Sequence, residues 1–173
     1  MGKRSSFERN PRDFYPTPLE AVVPLLHHVH PGMTFYEPCA GNGALVNHLE
    51  SNKVVCVGRS DIEPQAAHIQ QMDVLKLAHL TGDCFITNPP WDRKILHPII
   101  EVLRNKKPTW LLIDADWAHT KQAAPYLLFC ASIVSVGRVK WIPDSKMTGK
   151  DNCAWYLFRQ EAVGSTRFYG RTE

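Results

Sequence analysis

The 173-residue sequence lacks several things that would decide its class at once. No run of apolar residues approaches the ~20 needed for a helical membrane span. The first residues are basic and polar with no apolar segment behind them, unlike a secretory signal. There is no CxxC pair. The five cysteines, Cys39, Cys56, Cys84, Cys130 and Cys153, are odd in number and widely spaced, which argues against a disulfide framework or a zinc site. Most lie in apolar runs, so they are expected as buried free thiols in a reducing cytoplasm. GxGxxG is missing, which removes the dehydrogenase fingerprint, and no glycine loop ends in the lysine of a P-loop. The histidines are scattered, and His27, His28 and His30 are read as neighbours of a helix carboxyl end. No metal is expected. Repeats, low-complexity tracts and internal linkers are also missing.

What remains is ordinary for one globular domain: 44% hydrophobic and 21% charged residues. Lys3, Arg4, Arg9 and Arg12 against Glu8 account for the whole net charge of +3. The expected organisation is a basic disordered arm over 1–12, a catalytic domain over 13–160 and a tail over 161–173. A second basic cluster, Arg138, Lys140, Lys146 and Lys150 against Asp144, fits a polyanion partner or a solvated hairpin.

Thr17-Pro18-Leu19-Glu20 has the form of a capping box opening a helix that Pro24 kinks or splits. Strands are expected at Thr34–Tyr36, Val54–Val57, Ile69–Val74, Cys84–Thr87 and Trp110–Ile113. Ala44–Leu49 reads as a helix. Ile95, Leu96, Ile99, Ile100 and Leu103 share one helical face, and Gln122–Cys130 reads as a helix interrupted at Pro125. Ile133–Ile142 and Cys153–Phe158 pair as a terminal antiparallel hairpin. The alternation predicts an α/β fold with a mainly parallel, doubly wound sheet.

Three motifs carry chemistry. Glu37-Pro38-Cys39-Ala40-Gly41-Asn42-Gly43 lies between a strand and a helix, where glycines admit a ligand close to the backbone. Asp61 follows about 20 residues later at the end of the next strand, where such folds place an acid on ribose hydroxyls. Thr87-Asn88-Pro89-Pro90-Trp91 ends an apolar strand. The prolines hold Asn88 and the Pro89 carbonyl rigidly at the strand's carboxyl edge. Two acceptor oxygens there can take the two N–H bonds of an exocyclic amine, and Trp91 offers a flat face to a base.

These motifs, in this order, resemble the amino-methyltransferases of DNA, in particular small phage or prophage N6-adenine methyltransferases. The resemblance covers most of residues 13–158. It implies a Rossmann-like class I fold with a seven-stranded sheet, S-adenosylmethionine as cofactor and transfer of its methyl to N6 of adenine in DNA. Asp13-Phe14-Tyr15-Pro16-Thr17-Pro18 resembles the segment over the methionine end of the cofactor. By the same resemblance Tyr15, Thr17, Glu37, Pro38, Ala40, Gly41, Gly43, Asp61, Ile62, Asp73, Val74 and Asn88 are cofactor-binding, with Asp73 taking the adenine amino group. Asn88, Pro89, Pro90 and Trp91 are the catalytic motif. Trp91, Arg138, Lys140, Lys146, Lys150 and Asn152 are the nucleic-acid contacts, with Gly149–Asn152 in the target-base loop.

The family's added target-recognition domain is not expected, so recognition should be short or relaxed. The expected setting is the cytoplasm of a bacterium or phage-infected cell, with no membrane partner, as a monomer or homodimer. The alternatives are an RNA base methyltransferase, a protein glutamine methyltransferase and a non-catalytic binder of cofactor or nucleic acid.

Overall fold

The structure, a computed structural model, describes residues 15–78, 81–142 and 149–171. The basic arm, Asp13, Phe14, Asp144 and Lys146 lie outside the described residues.

Eight strands form one sheet in the order β3-β2-β1-β4-β5-β7-β6-β8. β1 (Thr34–Glu37), β2 (Val55–Asp61), β3 (Gln70–Gln71), β4 (Cys84–Thr87) and β5 (Thr109–Asp114) run parallel. β7 (Cys153–Phe158) lies antiparallel between β5 and β6 (Cys130–Gly137), and β8 (Arg167–Tyr169) pairs parallel with β6. The central strands are apolar because both faces of the sheet are covered. Phe35, Ile86, Trp110, Leu112 and Trp155 face α1 (Leu19–Val22) and α2 (Ala44–Ser51). Tyr36, Phe85, Leu111, Ile113, Tyr156 and Phe158 face α3 (Arg93–Arg104). The buried Trp155 Nε1–H donates to the Ala21 carbonyl at 2.8 Å, tying the first helix to β7.

From the carboxyl end of β1 the chain turns into α2 on one face, and from that of β4 it enters α3 on the other. Neighbouring strands whose connections diverge leave a crevice between them. Cys153 pairs with Asp114 at the end of β5 and with Gly137 at the end of β6. The β6–β7 connection therefore lies on the same sheet edge as the crevice.

The doubly wound architecture and the terminal hairpin are as expected, but among the described residues the strands number eight rather than seven. The eighth comes from the segment read as a tail. Ile69–Val74 supplies only the two-residue β3 and part of a 3₁₀ turn at Val74–Lys76. β2 runs on through polar Arg59, Ser60 and Asp61, which pair with β1 and β3. Gln122–Cys130 shrinks to α4 (Ala124–Leu127), and Cys130 already belongs to β6, which stops at Gly137. The capping box does not form. Pro18 occupies the cap position, Thr17 Oγ1 accepts from Asn88 Nδ2, and Glu20 Oε1 accepts the backbone N–H of Lys140. Pro24 does split the helix, and Val23–His27 continues as a 3₁₀ turn. His28 stands at the carboxyl end of that turn, as expected, and its ring also packs edge to face with Tyr169 at 4.4 Å and near Trp110 at 5.9 Å.

All five cysteines are free. Burial pushes the thiols of Cys84, Cys130 and Cys153 up to about 12, so they stay protonated and behave as small apolar side chains.

Gly58 exists to admit Tyr36. A Cβ at 58 would stand 2.4 Å and 2.6 Å from two carbons of that ring, which is itself buried against Phe85. Gly58→Ala is expected to cost about 1–3 kcal/mol as overpacking, read as a lower urea midpoint. An unchanged midpoint would contradict this packing.

Candidate functional site

The glycine turn is built by hydrogen bonds to the end of β2. Ala40 N–H donates to the Ser60 carbonyl at 2.9 Å, and Gly41 N–H donates to Asp61 Oδ2 at 2.8 Å. Gly43 N–H closes the turn on the Ala40 carbonyl at 2.7 Å. Gly41 and Gly43 sit at φ 53° and 84°, the left-handed region where a Cβ is strained. Asp61 Oδ1 takes the backbone N–H of Glu63 at 2.8 Å. Both Asp61 oxygens thus hold backbone, one in each of two successive loops.

A cavity of about 770 Å³ opens at this edge, within the range of small-molecule sites. Of the expected cofactor residues, Tyr15, Thr17, Glu37, Pro38, Ala40, Gly41, Asp61, Ile62, Asp73, Val74 and Asn88 line it. Gly43 does not; it serves the turn and the start of α2. Residues that sequence reasoning missed also line the cavity: Glu63, Gln65, Leu75, Ile95 and Ile99. Ile62, Leu75 and Ile95 are 51%, 45% and 44% exposed. Apolar side chains left this open at a cavity mouth suit a flat, apolar ring between them. Asp73 faces the cavity while its Oδ1 accepts the Leu75 N–H at 3.0 Å.

Glu37 is 1% exposed. Burial, with the Asp61 charge beside it, holds its carboxyl well above the usual carboxylate range. The backbone N–H of Val46, in the first turn of α2, works in the opposite direction. Oε2 has no partner among the described residues.

Asn88 and Pro90 line the cavity at the carboxyl end of β4, and Pro89 is buried beneath them. The Asn88 amide is oriented: Nδ2 donates to Thr17 Oγ1 at 3.2 Å, which turns Oδ1 the other way as an acceptor. Trp91 stands beside the cavity rather than lining it. Its Nε1–H donates to the Leu112 carbonyl at 3.0 Å, so the indole is fastened to β5. Its ring meets Trp141 edge to face at 5.6 Å, and Trp141 lies 6.5 Å from Tyr15. Trp141 is a further aromatic that sequence reasoning missed. It stands where it does because residue 149 is glycine, whose Cβ would come within 3.0 Å of the indole. Arg138, Lys150 and Asn152 are exposed on this edge, and Lys140 is half-buried. Lys146 lies outside the described residues.

Asp61→Ala should loosen the glycine turn before any ligand is considered. Amide hydrogen exchange at Gly41 and Glu63 should accelerate at least tenfold, the effect of losing about 1.4 kcal/mol of local protection. Unchanged protection would show that the carboxylate does not hold the turn.

Sequence comparison finds no matching family profile and no matching curated protein. Solved structures do match. A Pyrococcus horikoshii protein provisionally named an RNA methyltransferase aligns at 16% identity and TM-score 0.57, over 91% of this chain and 94% of its own. A dimethyladenosine transferase from Plasmodium falciparum aligns at 14% identity and TM-score 0.54, over 83% of this chain. A type I restriction-modification methyltransferase subunit from Streptococcus thermophilus aligns at 10% identity and TM-score 0.55, over 90% of this chain. The chain spans 62% and 47% of the latter two. What it shares with all three is the architecture, an α/β fold found among methyltransferases.

Proposed function

We propose that the protein transfers a methyl group from S-adenosylmethionine to an exocyclic amine of a nucleic-acid base, with N6 of adenine in DNA as the substrate. The observation that carries the reading is the oriented Asn88 amide, fixed by Thr17 and two prolines at the mouth of the cavity. The cavity fits the cofactor. Ile62, Leu75 and Ile95 offer apolar walls to an adenine ring. Asp73 supplies a carboxylate for its amino group, and Asp61 and Glu63 supply carboxylates beside a ribose. The partnerless oxygen of Glu37 meets the need of a cationic ligand. The name of one structural neighbour, a dimethyladenosine transferase, accords with an adenine amine as target.

Bound there, S-adenosylmethionine supplies a methyl already activated on a positive sulfur. The protein's own task is to position the amine and stabilise charge. An adenine amine is a weak nucleophile because its lone pair delocalises into the ring. Asn88 Oδ1 and the Pro89 carbonyl accept its two N–H bonds, favour a pyramidal nitrogen and stabilise the positive charge that develops there. The proton then leaves to solvent, so neither group acts as a strong base. A duplex target must be flipped out, which costs a few kcal/mol. Stacking on the aromatic group of Trp91 and Trp141 returns ~1–3 kcal/mol. Arg138, Lys140 and Lys150 lie on the same edge and meet phosphates, which position the strand without reading it. Recognition is accordingly short or relaxed. An RNA substrate uses the same chemistry and is the second reading.

The test is incubation with labelled cofactor and DNA or RNA, followed by identification of the modified nucleoside by mass spectrometry. N6-methyladenine in DNA is the expected product; the same base in RNA selects the second reading, and no modified amine refutes both. Asn88→Ala should keep cofactor binding and lose on the order of a hundredfold or more in turnover. Thr17→Val should lose about fivefold, the worth of one orienting hydrogen bond. A well-folded Asn88→Ala enzyme of near-normal rate would refute the assignment.

A further inference from the structure

We propose that the segment after β7 belongs to the substrate surface: β8 carries Arg171 to the open edge of the sheet, where its guanidinium lies over the end of β6 beside Arg138 and grips a backbone phosphate of the nucleic acid. The inference rests on the nucleic-acid reading above and adds to it an element that carries no catalytic motif.

The topology places the residue. β8 runs parallel to β6, with Arg167 opposite Ser132, Phe168 opposite Ile133 and Tyr169 opposite Val134. The chain therefore leaves β8 toward the carboxyl end of β6, the edge on which the crevice opens. Its course is fixed by contacts that do not involve Arg171. Val163 N–H donates to the Leu128 carbonyl at 2.8 Å, Thr166 Oγ1 donates to the Cys130 carbonyl at 2.8 Å, and the Tyr169 ring packs on His28. Arg171 then lies over Gly137. A Cβ at 137 would stand 3.2 Å from Arg171 Nη1 and 3.6 Å from its Cδ and Cζ. Gly137 sits at φ 88°. Glycine there serves both the turn that ends β6 and the close approach of the guanidinium.

The charge around it points to the ligand. Arg171 and Arg138 are exposed, and Lys140 and Lys150 follow on the β6–β7 connection. Among the described residues none of these four forms an ion pair; the ion pairs there join Arg59 to Glu50, Lys76 to Asp73 and Arg104 to Glu101. Nearby acids are turned to backbone: Glu20 accepts the Lys140 N–H and Asp114 the Asp116 N–H. Asp151 stands exposed beside Lys150 and offsets only part of the charge. Cations gathered without counter-charges suit a polyanion, and the guanidinium fork matches two oxygens of one phosphate. The sheet also says which phosphate. β6 lies three strands from β4, ~14 Å at ordinary strand spacing. Arg171 therefore meets a phosphate flanking the target base rather than the target's own. Such a contact holds the strand and reads no sequence.

The deciding experiment measures affinity against salt for a short adenine-containing DNA duplex and for single-stranded RNA of the same sequence. Each phosphate contact adds about 0.9 to the slope of log affinity against log salt for a duplex and about 0.7 for a single strand. Arg171→Ala should lower the slope by one such step. Between about 50 and 200 mM salt the variant should then lose about 3.5-fold less duplex affinity than the native protein. Arg167→Ala removes the same charge from the other end of β8 and should leave the slope unchanged. An unchanged slope in Arg171→Ala, even with weaker binding, would make the residue merely structural and overturn the inference. An equal fall in Arg167→Ala would show a diffuse charge effect and overturn it too. If the native protein binds neither nucleic acid, the nucleic-acid reading itself fails, and this inference with it.

Discussion

At the carboxyl ends of β1 and β4 the chain leaves the sheet toward opposite faces, and every feature of the site depends on that divergence. α2 departs on one side and α3 on the other, so no connection crosses between the two strand ends. The open space receives the glycine turn from β1, Asp61 from β2 and Asn88 from β4. Each strand is held by apolar packing on both faces, so the positions of these groups are set by a rigid core rather than by the loops themselves.

The local contacts sharpen that frame. Asp61 spends both oxygens on backbone and couples the end of β2 to the glycine turn. Thr17 spends its hydroxyl on Asn88 and couples the first segment to β4. Trp91 spends its indole N–H on β5. By contrast Glu37 keeps one buried oxygen with no partner among the described residues. The site thus combines groups fixed by internal bonds with one group left open to a ligand, the pattern expected where stability yields to binding.

Much of this was legible in the sequence where backbone geometry dictates residue type. Gly41 and Gly43 are required by positive φ, and two prolines after an apolar strand can only end it. Periodicity placed α3 because Leu96, Ile99, Ile100 and Leu103 bury one stripe. What failed were features decided by distant partners. Thr17 and Glu20 have the local form of a cap, but Asn88 and Lys140 compete for their side chains. β8 is a three-residue edge strand, Arg167–Tyr169, whose pairing with β6 leaves no periodic signal. Glu63, Gln65, Trp141 and Ile95 reach the site through tertiary folding from loops and a helix whose sequences carry no motif of their own.

The central claim is that the cavity at the β1–β4 divergence holds S-adenosylmethionine. Backbone amide chemical shifts, followed by NMR as the cofactor is added, test it most directly. The account predicts that the amides of Gly41, Ile62, Val74 and Asn88 move together along one saturable curve, while those of Arg167–Tyr169 at the far edge of the sheet stay in place. Shifts centred elsewhere, or no shifts at saturating cofactor, would contradict it.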